Sequence, residues 1–176
     1  MVRLHGYCTP AIKNLITMTW WKNFKPSACN HKLPAAEKEQ ALRLILETMT
    51  KAKVLQSDLT EKAAAAMIAR EELATTGVGN GMAIPHIKLP GLTSVACSIV
   101  VLREPIDWAA VDGEPVDIVI TILRPDVPTD EFDPAQHIKM MQWVAGLARD
   151  GDFCSFVRNA DKKSTLVDLL KEHAHA

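Results

Sequence analysis

Polar and apolar positions along this chain follow two periods, and the period changes mark the expected elements. From Pro34 to about Lys53, "PAAEKEQALRLILETMTKAK" spaces its leucines helically, with acids first and bases last, which suits the helix dipole. A second helix is expected to open at Asp58. There "DLTE" reads as a capping box with Glu61 at its third position, and the helix stops before Gly77, a natural left-handed cap. Two β-branched runs follow, Ser94–Leu102 and Val116–Leu123, of the kind buried on both faces of a sheet. Asp112-Gly113 between them is a hairpin turn signal. Three further helices are expected: Pro134–Arg149, Gly151 to about Asn159, and Asp161 to about His173. Two helices, then strands, then helices predict an α/β fold with a sheet covered on both sides and antiparallel pairing at the hairpin. Residues 1–26 show no clear period. They read as an N-terminal extension, docked through Trp20, Trp21 and Phe24 or partly disordered, ahead of one domain over 27–176.

Composition narrows the function. Of 176 residues, 48% are hydrophobic and 23% charged, a soluble globular balance that supports a substantial core. The formal net charge of -1 argues against nucleic acid as a partner, because polyanion binders rest on a basic surface. Leu15–Trp21 is far too short to span a bilayer, so neither membrane insertion nor an export signal is expected. Cys8, Cys29, Cys97 and Cys154 are scattered without a C-x-x-C pair, and Cys97, in a strand-like run, and Cys154, between apolar positions, read as small core residues in a reducing cytoplasm.

Three polar residues interrupt this apolar logic. At about 100° per residue, Arg70 shares a helix face with Leu59, Ala63, Ala66, Met67 and Ala74. A guanidinium there either snorkels and caps the helix C-terminus or clamps an anion with its forked donors. In "DPAQHIKMMQWVAGLA", Asp133 reads as the N-cap, Pro134 as the first helical residue and Gln136 as the closing member of a capping box. His137 then lies on the face of Met141, Val144 and Ala148. It is either a staple against Phe132 or a neutral imidazole beside free helix N–H groups, where an anion is favoured. The third is His86. "GVGNGMAIPHIK" leads through three glycines and the strand-like Met82-Ala83-Ile84 to Pro85, which holds His86 at the strand's end, with Lys88 close by. The glycines do not form a nucleotide-binding loop, since the helix precedes them and no G-K-[ST] follows. Two imidazoles and a guanidinium together suit a phosphoryl group, whose transfer needs in-line placement and neutralised oxygen charge. A metal site on His86 and His137 lacks a third ligand, and no cofactor is implied.

"REELATTGVGNGMAIPH", Arg70–His86, resembles the active-site segment of the mannitol/fructose-type enzyme IIA domains of the bacterial phosphoenolpyruvate-dependent sugar phosphotransferase system (PTS), which include a stand-alone nitrogen-regulatory type. The similarity extends more loosely from about Phe24 to His173. It implies a three-layer α/β/α sandwich around a mixed β-sheet and a phosphohistidine carrier in the cytoplasm. By this resemblance His86 matches the histidine phosphorylated at Nε2 by the carrier protein HPr, Arg70 the arginine beside it, and His137 the second active-site histidine. "PHIK" departs from the smaller residue usual after that histidine. The implied partners are an HPr-type donor and, downstream, a IIB protein or a regulatory target. A free-standing chain favours the nitrogen-type regulatory role. Alternatives are a sugar-specific IIA feeding a fructose/mannitol-type IIB, and a binding module without phosphotransfer.

Overall fold

The computed structural model describes residues 19–175, so Cys8 and most of the extension read over 1–26 lie outside the described residues. Two 3₁₀ turns, Trp20–Asn23 and Pro26–Ala28, lead into strand β1 (Asn30–Leu33), an element too short and too polar to show a period. Helix α1 (Lys38–Lys51) follows, then α2 (Thr60–Leu73). Three short strands, β2 (Gly77–Gly79), β3 (Met82–Ala83) and β4 (His86–Lys88), precede the long β5 (Ala96–Ile106) and β6 (Val116–Arg124). Helices α3 (Pro134–Leu147), α4 (Gly151–Arg158) and α5 (Lys163–Glu172) complete the chain.

These elements form a three-layer α/β/α sandwich around a mixed sheet ordered β1-β5-β6-β3-β2, with β4 also on β6. β5 and β6 pair antiparallel, whereas β1 runs parallel to β5 and both β3 and β4 run parallel to β6. Alternation along the central strands divides the core. Val100, Leu102, Val119 and Leu123 pack with Leu42, Ile45 and Met67 of α1 and α2. Cys97, Ile99, Ile118, Ile120 and Ile122 pack with Val144, Phe153 and Leu166 of the other three helices. This is the pattern of strands buried on both faces. Cys29, Cys97 and Cys154 are free and buried, and burial pushes the Cys29 thiol up to about 11.

Several local expectations are corrected. Residues 34–37 are not helical, and the Ala36 N–H donates instead to Gln40 Oε1. Asp58 caps nothing: Ser57–Leu59 is a 3₁₀ turn and α2 begins at Thr60 without a side-chain cap. Gly77 is no left-handed cap, because α2 ends at an extended Ala74 and Gly77 already belongs to β2. The 107–115 connection between β5 and β6 is too long for a tight hairpin, although Gly113 turns with φ +76°. The tight hairpin lies elsewhere. Asn80 (φ +56°) and Gly81 (φ +74°) join β2 to β3, as a two-residue Asn-Gly turn does.

Candidate functional site

His86 does not end the first strand-like run; it opens β4. Pro85 interrupts the edge after β3, and its carbonyl accepts the Ile122 N–H at 3.0 Å. Pairing then resumes with His86 opposite Ile122 and Lys88 opposite Arg124. The approach to this point depends on the glycines. A Cβ on Gly77 would lie 2.7 Å from Ala110 Cβ and 2.8 Å from its Cα, and Gly79 and Gly81 have φ of +99° and +74°. His86 is half-buried, and its Nδ1 lies 2.9 Å from the Ile84 carbonyl oxygen. A carbonyl can only accept, so in the neutral ring the proton sits on Nδ1 and the Nε2 lone pair is free.

A cleft of about 580 Å³ faces this ring, lined by Arg70, Lys88, Arg124 and His137 over an apolar floor that includes Ala66 and Met141. Among the described residues no carboxylate lines it. Arg70, His86 and His137 are thus brought to one cleft from α2, β4 and α3, which belong to all three layers. Arg124 joins them from the end of β6. Its place as the charged residue ending an apolar strand is a signal that sequence reasoning passed over. Its Nη1 donates to the Pro125 carbonyl at 3.0 Å, and the guanidinium lies 5.5 Å from the Phe132 ring centre.

Arg70 is not the buried charge of its helix. It is half-exposed, and its Nη1 donates to the Ala74 carbonyl at 2.8 Å, closing the helix end while facing the cleft. The buried charge is its neighbour Glu71, 8% exposed, which helical spacing puts off the face of Leu59, Ala63 and Met67. Asp133 does cap α3, accepting the Ala135 N–H at 2.8 Å, whereas Gln136 makes no return bond among the described residues. His137 packs edge-on against Phe132 with ring centres 5.8 Å apart, so the staple and the cleft-facing position hold together. Its Nδ1 is buried without a hydrogen-bond partner among the described residues. Burial first, then the charges of Arg124 and His86, pull His137 from an ordinary 6.5 down to about 4, leaving it neutral near pH 7. Among the described residues no cluster of three His, Cys, Asp or Glu side chains could hold a metal ion. Chemically, the cleft offers one free imidazole nitrogen, one neutral imidazole and three cations to a small, highly charged anion.

A sequence model of the family described as "Phosphoenolpyruvate-dependent sugar phosphotransferase system, EIIA 2" matches residues 22–173, and the chain belongs to this family. A nitrogen regulatory protein of Bradyrhizobium diazoefficiens is 34% identical over 145 residues, covering 82% of this chain and 90% of that protein. Across the nitrogen regulatory proteins matched, this chain spans from 64% to 90% of the relative's length. The crystal structure of the nitrogen regulatory protein IIA-Ntr from Neisseria meningitidis superposes with a TM-score of 0.75 at 20% identity, over 85% of this chain and 97% of that one. The mannitol IIA of Escherichia coli, solved in complex with phosphorylated mannitol IIB, shares the fold with a TM-score of 0.62 at 18% identity, over 85% and 99%.

Proposed function

We propose that this protein is a phosphohistidine carrier of a PTS, with His86 as the phosphoryl acceptor and a regulatory, nitrogen-type role. One observation carries the reading: His86 Nδ1 lies 2.9 Å from the Ile84 carbonyl oxygen, which selects the tautomer with Nε2 free, and the ring lines a cleft whose charged side chains are all cationic among the described residues. In the proposed step Nε2 attacks phosphorus in line, the P–N bond to the histidine of an HPr-type donor breaks, and a P–Nε2 bond forms. Nδ1 keeps its proton against Ile84 throughout. Arg70, Lys88 and Arg124 neutralise the phosphoryl oxygens, and neutral His137 donates its N–H without adding charge. The product carries about two more negative charges, enough to change which protein surface binds it. The nitrogen-type role is favoured because the relatives at 32–34% identity are named nitrogen regulatory proteins. The reading places the carrier in the cytoplasm; among the described residues no helix is long and apolar enough to cross a membrane.

Incubation with phosphoenolpyruvate, enzyme I and HPr tests the proposal. Wild type should take an acid-labile, base-stable phosphate, and His86→Ala should take none. An unlabelled wild type with a cognate HPr, or equal labelling of His86→Ala, would sink the reading and leave a binding module. A second reading, sugar uptake, is favoured by the mannitol IIA neighbour solved with its phosphorylated IIB. Transfer of label from the phosphorylated protein to a fructose- or mannitol-type IIB separates the two roles.

A further inference from the structure

We infer that Glu71 is a positioning residue for His86, acting through Thr76 and Ile84; the inference rests on His86 being the phosphoryl acceptor. The two carboxylate oxygens of Glu71 accept the Thr76 N–H at 3.0 and 3.2 Å, and Oε2 also accepts the Thr76 hydroxyl at 2.5 Å. The Thr76 carbonyl accepts the Ile84 N–H at 2.9 Å. The Ile84 carbonyl in turn accepts the Nδ1–H of His86 at 2.9 Å. Each residue of the chain is thus held by the one before it, from the end of α2 to the reacting ring.

The carboxylate is itself fixed. Lys38 Nζ lies 3.4 Å from Glu71 Oε1 and donates to the Trp108 carbonyl at 3.1 Å, while the Trp108 indole N–H donates to the Thr76 hydroxyl at 3.2 Å. A buried carboxylate is costly to keep unless it is paired and hydrogen-bonded, and here every bond it makes goes to Lys38 or to Thr76. Glu71 also follows Arg70 directly, so one helix end sets both the cation and, through the turn, the imidazole. With an amide in place of the carboxylate, the two donors of Thr76 share one accepting oxygen and the other position becomes an N–H₂ that cannot accept, so the turn slackens. The Ile84 carbonyl then no longer selects one tautomer of His86, and the fraction of rings with a free Nε2 falls.

The test reads the ring directly. Histidine-¹⁵N-labelled wild type should show His86 protonated at Nδ1 alone, whether or not phosphate is present. Glu71→Gln should give a tautomer mixture and slow acceptance from phospho-HPr on the order of tenfold to a hundredfold. Thr76→Val, which keeps the backbone bond and loses only the hydroxyl, should shift the tautomer in the same direction by less. Folded variants with the wild-type tautomer and rate would overturn the inference, even if their melting temperatures dropped. If Glu71→Gln fails to fold, Thr76→Val alone decides by the same criterion. An unlabelled wild type would sink the carrier reading instead, while the tautomer comparison on unphosphorylated protein would still decide the coupling.

Discussion

His137 carries two demands on one ring: it fills the space against Phe132, and it lines the cleft with His86. Burial meets the first and sets the second, because a ring held near pKa 4 lines the cleft uncharged near pH 7. The sign of the resulting pH dependence follows from the depression. Between pH 6.5 and about 4 the unfolded chain binds a proton at this residue that the folded one refuses, so the stabilising contribution is complete above 6.5 and lost as pH falls. Urea unfolding at pH 7 and pH 5 should show wild type losing about 1–2 kcal/mol more than His137→Asn over that interval. Equal losses would place the depression elsewhere. Phosphorylation of His86 should move the His137 titration upward, since a dianion nearby favours imidazolium; an unmoved NMR titration would mean that the two rings do not share the phosphate. Arg70 and His137 were legible as polar interruptions of apolar helix faces, and His86 through its motif. Glu71 and Arg124 were not. A charge's burial depends on which strand or loop covers it, and helical spacing says nothing of that.

Among the elements, the short ones between α2 and β5 position His86, and they were the least legible. β2, β3 and β4 hold two or three residues each, too few for a period of two to show. Their arrangement rests on backbone conformation, which the glycines permit. Gly81 and Gly113 have nearly equal φ, +74° and +76°, but different surroundings. A Cβ on Gly81 would collide with the Arg158 guanidinium and lie 2.7 Å from Asp117 Oδ1, whereas on Gly113 it would meet nothing within 4 Å. Arg158 and Asp117 are themselves joined by bonds of 2.7 and 3.0 Å, so neither yields freely. Gly113→Ala should therefore cost only the left-handed strain, about 1–2 kcal/mol, and Gly81→Ala more than that. Denaturant midpoints compare the two. Equal losses would show that the Arg158–Asp117 pair gives way and that the turn needs glycine for its φ alone. The long helices and strands were legible because their apolar faces repeat often enough to be read. The capping box at Asp58 was misread because a capping motif looks the same whether the turn after it is α or 3₁₀.

At the scale of the whole molecule, the order of helices and strands was enough to predict two covered faces. It did not show the parallel pairing of β3 and β4 with β6 that brings His86 beside Arg124, because register over long separations leaves no local trace. The same holds for the way the N-terminal segment meets the C-terminal layer. Phe24 is 1% exposed and bridges to Cys97 of β5, and its ring lies 6.4 Å from that of Trp143 in α3, edge-on. Trp20 stands 5.9 Å from the same indole, whose N–H donates to the His173 carbonyl at 3.0 Å after α5. Residues far apart in the chain thus share one aromatic cluster, and Phe24 is the member with no solvent to retreat to. Phe24→Ala should cost about 3–5 kcal/mol as a buried aromatic truncation, and Trp20→Ala clearly less because that ring is half-exposed. Thermal or urea unfolding of the two variants measures the difference. A loss near zero for Phe24→Ala would mean that β5 and the C-terminal helices close over the gap unaided, and that the segment before β1 adds nothing to the stability of the sandwich.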